Sequence, residues 1–337
     1  MSRARPRVLV VDDSAFARTV LSRVLRSSGE IDVVGIARDG VDALERIAIL
    51  DPDIVTLDLA MPGLDGLGVL QALAGRSRPR VIVVSISAVD SELGAEALSL
   101  GAIDLVSKPT ALASDRLNEI GGDLIARILA VRSGSDDVVE APSPTMQRDR
   151  RAELIMLGTS TGGPQALTRL VAALPADLKA PLVMVLHIPA GYTHALAERL
   201  NRSSALHVVE AEDGLELAPG LAVLARGGSH LRVEARGAGL YCVVSALPIV
   251  LFTPSVDELF LSGAAAVGKR TLGVVLTGMG DDGLIGSRAI AAAGGVLLTE
   301  AAASCVVYGM PRCVQEAGIG AVSIHLDDMA KGILDNV

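Results

Sequence analysis

Three hydroxyl side chains stand among glycines in the stretch Gly158-Thr159-Ser160-Thr161-Gly162-Gly163-Pro164. Gly158, Ser160 and Gly162 have G-x-S-x-G spacing, which can lift a serine Oγ clear of a strand-to-helix turn. An apolar run ends at Gly158, and a helical pattern opens at Pro164, a residue suited to the first helical position. The stretch can be a nucleophile turn or a phosphate-binding loop. The loop reading lacks both the Gly-Lys-Ser/Thr ending and G-x-G-x-x-G. A nucleophilic serine needs a base to take its proton and an acid to steady that base. Among the five histidines, His187 directly ends a buried-looking strand over 181–186. His194 lies on the helix that follows, His230 comes after Gly227-Gly228-Ser229, and His207 and His325 fall in strand-like or terminal stretches. The turn Thr277-Gly278-Met279-Gly280-Asp281-Asp282-Gly283 offers the acid. Cys305 is the rival nucleophile, but Cys242, Cys305 and Cys313 read as small buried thiols.

A second set of polar residues lies in the first third of the chain. Asp12 and Asp13, Asp58, Ser85 and Lys108 each follow a short apolar run. Three carboxylates in one crevice repel one another unless a hard cation joins them, and oxygen ligands suit Mg2+. A lysine opposite them can neutralise a phosphoryl group, and a serine hydroxyl can bond one of its oxygens. The plainer alternative is that such aspartates cap the helices that follow.

Both sets require strands that end together. Residues 7–128 alternate strand patterns (7–11, 32–37, 53–57, 80–84, 103–106) with helical ones, which predicts a doubly wound parallel sheet of five strands. Ligands bind such sheets beyond the carboxyl ends of the strands. Residues 129–152, rich in Pro, Ser and charge, predict a linker. From 153 to 337 the alternation resumes, with strands at Leu154, 181–186, 271–276 and 296–298. Short runs at 221–224, 230–233 and 241–244 predict an antiparallel hairpin inserted in that sheet.

Composition narrows the class. At 337 residues and 50% hydrophobic, the chain has material for two cores, and three Tyr, three Phe and no Trp make those cores aliphatic. A net charge of -9 disfavours a nucleic-acid surface. Three cysteines without C-x-x-C spacing predict a reducing compartment, and no apolar run is long enough to span a membrane. A cytoplasmic protein without direct membrane insertion is expected.

Residues 7–128 resemble the receiver domain of bacterial response regulators, on Asp12-Asp13-Ser14, Asp58-Leu59-Ala60-Met61-Pro62-Gly63-Leu64-Asp65-Gly66, Ser85 and Lys108-Pro109. The resemblance implies a flavodoxin-like fold in which Asp58 accepts a phosphoryl group from a histidine kinase. It implies that Asp12, Asp13, Asp58 and the Ala60 carbonyl hold Mg2+, and that Ser85 and Lys108 bind the phosphoryl oxygens. Leu105 stands where many receivers carry an aromatic switch residue, so switching is expected to run through packing at Ser85 and its neighbouring loop.

Residues 153–337 resemble the catalytic domain of the chemotaxis protein-glutamate methylesterase family. The likeness rests on the Ser160 turn, His187-Ile188-Pro189, Thr253-Pro254-Ser255-Val256-Asp257, the Asp282 turn and Ala303-Ser304-Cys305-Val306-Val307-Tyr308-Gly309-Met310-Pro311. It implies Ser160 as nucleophile, His187 as general base, Asp282 as orienting acid, and Thr161 with the Met279 N–H as oxyanion donors. It also implies an esterase half without a cofactor, acting on glutamate methyl esters and glutamine amides of methyl-accepting receptors. Leu186 departs from the family's usual Gln, and Arg226 from its usual Pro.

Overall fold

The computed structural model describes residues 5–76, 78–86, 91–108, 114–133 and 151–337. Pro109 and most of the expected linker, 134–150, lie outside the described residues. The chain divides into two compact units, Met1–Ser133 and Gly134–Val337.

The first unit runs β1 (Arg7–Val11), α1 (Ala15–Ser27), β2 (Asp32–Ala37), α2 (Gly40–Leu50), β3 (Ile54–Leu57), α3 (Gly66–Leu73), β4 (Arg80–Ile86), α4 (Ser91–Ser99), β5 (Asp104–Lys108) and α5 (Ser114–Ser133). All neighbouring strands are parallel in the order β2-β1-β3-β4-β5, as the alternating pattern predicts. Val8, Leu9 and Val10 of β1 and Val55 and Leu57 of β3 are fully buried, as expected of strands covered on both faces. Of the strand-end carboxylates, Asp12 accepts the Ser14 N–H at 3.0 Å at the start of α1, but the caps themselves are other residues. Ser14, Asp39 and Asp65 are the N-caps, accepting from the backbone N–H of Ala17, Asp42 and Gly68.

The second unit continues with β6 (Leu154–Thr159), α6 (Gly163–Ala172), β7 (Leu182–Leu186), α7 (Thr193–Ser203), β8 (His207–Glu210), β9 (Glu216–Leu217), β10 (Leu221–Leu224), β11 (His230–Arg236) and β12 (Gly239–Ser245). It closes with α8 (Val256–Val267), β13 (Thr271–Val275), α9 (Leu284–Ala292), β14 (Val296–Glu300), α10 (Met310–Glu316), β15 (Val322–Ile324) and α11 (Leu326–Leu334). Seven strands form one parallel sheet, ordered β15-β14-β13-β6-β7-β10-β8. The core is aliphatic: Leu154, Met156, Val183, Val185 and Val223 are fully enclosed, with Phe260 as its large ring.

One expectation is corrected here. The hairpin is not inserted in the main sheet, because β11 and β12 pair with the two-residue β9 in a separate antiparallel sheet. The run 221–224, grouped with that hairpin by its glycine punctuation, instead joins the parallel sheet between β7 and β8. Burial separates them: Ala222, Val223 and Leu224 are buried on both faces, whereas Glu234, Ala235 and Arg236 of β11 are exposed.

Candidate active site

Strand β6 lies at the centre of the seven-stranded sheet, where the chain first winds one way to β7 and later the other way to β13. Such a reversal opens a crevice at the carboxyl ends of the strands. Ser160 follows β6, His187 follows β7, and Thr277 lies two residues beyond β13. The register holds them side by side. Thr159 pairs with Leu186, the His187 N–H donates to the Thr159 carbonyl at 3.1 Å, and the Ser160 N–H donates to the Thr277 carbonyl at 3.0 Å.

The tight turn after Ser160 depends on glycine. Gly162 has φ +83°, and a Cβ there would meet the Val306 Cβ at 2.5 Å. Pro164 then lies in the first turn of α6. Ser160 is 6% exposed, and its hydroxyl makes no hydrogen bond among the described residues.

His187 Nε2 meets Asp282 Oδ2 at 2.8 Å, and its other nitrogen, Nδ1, is buried with no hydrogen-bond partner among the described residues. If Nε2 carries the proton donated to the carboxylate, Nδ1 has a free lone pair. Phe252 stacks on the imidazole, with centroids 4.5 Å apart and planes 3° from parallel. The ring is therefore held by a hydrogen bond at its edge and a second ring on its face.

Asp282 is fixed from several directions. Its Oδ1 accepts from Ser255 Oγ at 2.9 Å and from the Asp257 N–H at 3.0 Å, while Oδ2 also accepts from the Val256 N–H at 2.7 Å. These donors form the N-terminus of α8, whose dipole favours a negative charge. Burial alone raises the Asp282 pKa, but the His187 hydrogen bond and charge and these backbone donors outweigh it, so the net shift is downward. Next to it, Asp257 Oδ1 accepts the Gly286 N–H at 2.7 Å. Burial, with the nearby Asp282 charge adding to it, pushes the Asp257 carboxyl up to about 6.

The two expected oxyanion donors flank this site. Thr161 is fully buried in the turn and its carbonyl accepts from Thr277 Oγ1 at 2.9 Å. Met279 belongs to the turn leading to Asp282, and among the described residues nothing accepts its backbone N–H. The remaining histidines lie elsewhere. His194 and His207 are exposed, His325 caps α11, and His230 is buried with both nitrogens engaged, Nε2 with the Pro248 carbonyl and Nδ1 with the Ser255 N–H. The rival thiols are poor nucleophiles. Burial pushes Cys242 up to about 12 and raises Cys305 and Cys313 as well.

Around this site the sequence reading gave Phe252 no part and quoted Ser255 without a role. Phe252 could have been noticed as one of three phenylalanines in an aromatic-poor chain. Ser255 has capping-box spacing to Glu258, whose N–H it accepts at 3.4 Å.

The first unit gathers its own constellation. Lys108 Nζ bridges Asp12 Oδ2 at 2.6 Å and Asp58 Oδ2 at 2.7 Å. Carboxylate oxygens of Asp12, Asp13 and Asp58 lie within 4.8 Å of one another, a hard-oxygen set that fits a divalent cation. Burial raises the Asp58 pKa against the opposing pull of Lys108. Ser85 is fully buried, one pairing step before Lys108 across β4 and β5, and Ala60 is exposed two residues beyond Asp58. Leu105, the residue in the usual aromatic place, is buried in β5.

Comparison with known proteins gives concordant matches for both halves. A family model described as CheB methylesterase matches residues 155–333, and one described as response regulator receiver domain matches residues 8–119. Protein-glutamate methylesterase/protein-glutamine glutaminase 5 of Myxococcus xanthus is 55% identical, covering 96% of this chain and 95% of its own length. The enzyme of the same name from Symbiobacterium thermophilum is 39% identical, covering 97% and 96%. A crystal structure of the Thermotoga maritima CheB methylesterase catalytic domain is 34% identical and superposes with TM-score 0.54, covering 55% of this chain and 99% of that one.

Proposed function

Because the chain belongs to the CheB methylesterase family and carries a response-regulator receiver domain in front, we propose that Ser160, His187 and Asp282 hydrolyse glutamate γ-methyl esters and glutamine amides on chemotaxis receptors under control of phosphorylation at Asp58. The observation that carries this reading is the buried His187–Asp282 pair, whose second imidazole nitrogen has no partner among the described residues and lies beside the Ser160 turn.

The chemistry follows from that arrangement. The Ser160 oxygen attacks the γ-carbonyl carbon while His187 Nδ1 takes the hydroxyl proton. Asp282 steadies the imidazolium through Nε2–H. The developing oxyanion is met by the Met279 N–H and by Thr161, donors set before reaction and therefore costing little reorganisation. The tetrahedral intermediate collapses, and His187 returns its proton to the leaving methoxide or amide nitrogen, releasing methanol or ammonia. Water then attacks the acyl-serine, gives its proton to His187, and regenerates Ser160 with a free glutamate. This template's imidazole is turned over relative to the familiar one, with Nε2 rather than Nδ1 facing the acid, which leaves the roles unchanged.

In the receiver unit, Asp12, Asp13, Asp58 and the Ala60 carbonyl would hold Mg2+, which neutralises charge on a transferring phosphoryl group. Lys108 and Ser85 would take the phosphoryl oxygens, and a histidine kinase would be the donor. A cytoplasmic location suits such a kinase and the cytoplasmic part of a receptor, and among the described residues no helix is long and apolar enough to cross a membrane.

Ser160→Ala should abolish methanol release from methylated receptor membranes and also labelling by a fluorophosphonate, while acetyl phosphate still phosphorylates Asp58. Residual esterase activity in that variant would overturn the assignment.

A further inference from the structure

Glu300, the last residue of β14, is fully buried without a described ion-pair partner. Its Oε2 accepts the Thr277 N–H at 2.8 Å, while Oε1 is enclosed with no hydrogen-bond partner among the described residues. Thr277 is the junction of the nucleophile turn. Its carbonyl accepts the Ser160 N–H at 3.0 Å and Thr159 Oγ1 at 2.7 Å. Its hydroxyl donates to the Thr161 carbonyl at 2.9 Å and accepts the Val307 N–H at 2.9 Å. Every group in the chain of contacts from Glu300 to Ser160 is thus fixed by a hydrogen bond.

We propose, on the basis of the esterase reading above, that Glu300 is a positioning residue that works as the neutral acid, holding Thr277 and through it the Ser160–Thr161 turn and the oxyanion site. A carboxylate buried without a cation is costly enough that proteins usually neutralise it instead. Burial accordingly raises the Glu300 pKa, with the Thr277 N–H, Ser304, His325 and Arg169 only partly offsetting it. The Cys305 thiol also faces this group and is itself raised by it after burial. Neutrality has a catalytic reason. A fixed negative charge on the Thr277 N–H, two residues before Met279 in the chain, would oppose the charge that develops at the oxyanion donors, and the low surrounding dielectric would amplify the opposition. A neutral carboxyl accepts the Thr277 N–H without that penalty.

The glutamine isostere separates charge from position. Glu300→Gln should keep kcat for methanol release within about twofold, because it retains the neutral acceptor. Glu300→Ala should lower kcat by about tenfold or more with KM little changed, because the turn loses its tether. The difference infrared spectrum of wild type minus Glu300→Gln at neutral pH should show a protonated carboxyl band. An ionised carboxylate band, or a large loss of kcat in Glu300→Gln, would overturn the neutral-acid role. An unchanged kcat in Glu300→Ala would overturn the positioning role. Should the alanine variant not fold, the glutamine variant and the infrared band still decide the matter. Failure of the esterase reading would show separately, as absence of methanol release from the wild type.

Discussion

Asp257 and Asp282 are neighbours at two helix N-termini, yet their environments push them in opposite directions. Asp282 has His187 and three further donors, so its ionised form is favoured, and that contribution is lost as pH falls through its depressed pKa. Asp257 is raised to about 6, so its contribution is full below the unfolded value of 3.8 and is lost as pH rises through 6. Asp257→Asn keeps an acceptor for Gly286 and removes the unfavourable charge. It should therefore raise the thermal midpoint of the catalytic unit at pH 7 by the equivalent of roughly 1 kcal/mol after allowance for partial exposure, with the gain disappearing near pH 4. An equal gain at both pH values would show that the charge is not the cause. Asp282→Asn should leave the fold in place but reduce methanol release by about 10⁴-fold, the scale of losing the carboxylate that holds a triad histidine in its working tautomer. At this scale the sequence was informative where function sits at strand ends, as with Ser160, His187 and Asp282. It gave no role to Phe252 or Glu300 and none to Thr277 beyond its place in the Asp282 turn, because ring stacking, backbone hydrogen bonding and burial leave no mark in residue spacing.

The strand-to-helix turns carry the geometry. Gly162 combines a left-handed backbone with Val306 pressed against the space a side chain would fill. Gly162→Ala should cost about 3 kcal/mol, from backbone strain and overpacking together, and should slow fluorophosphonate labelling of Ser160. Urea unfolding and labelling kinetics check both parts, and a variant of wild-type stability would show that the turn adapts freely. Long strands and helices with clear periodicity were legible in the sequence, including the alternating order of the receiver unit from β1 to β5, whereas α5 was not read and its last residues, to Ser133, fall where the linker was expected to begin. The hairpin's sheet membership was not, because pairing partners are chosen by tertiary packing, and the runs 221–224, 230–233 and 241–244 look alike locally. The three-residue β15 and the short α10 were too brief to give a periodic signal.

Across the whole molecule, two parallel sheets each keep their chemistry at the carboxyl crest. The phosphorylation chemistry proposed for Asp58 and the ester chemistry proposed for Ser160 therefore reside in separate compact units. Asp58→Asn should leave basal methanol release intact and abolish its stimulation by acetyl phosphate with Mg2+. Stimulation that survives in this variant would place the accepting residue elsewhere. If the receiver restrains the esterase by occlusion, removing residues 1–150 should raise the basal rate, and an unchanged or lower rate would refute that restraint.

The ring lying flat on His187 has a practical consequence in a chain with no tryptophan. Phe252→Trp would place the protein's sole indole against the imidazole. Indole emission responds to the groups in contact with the ring, so the intrinsic fluorescence of this variant should change when a fluorophosphonate occupies Ser160. The variant thus offers an optical meter for events at its own nucleophile, readable during turnover without any attached dye.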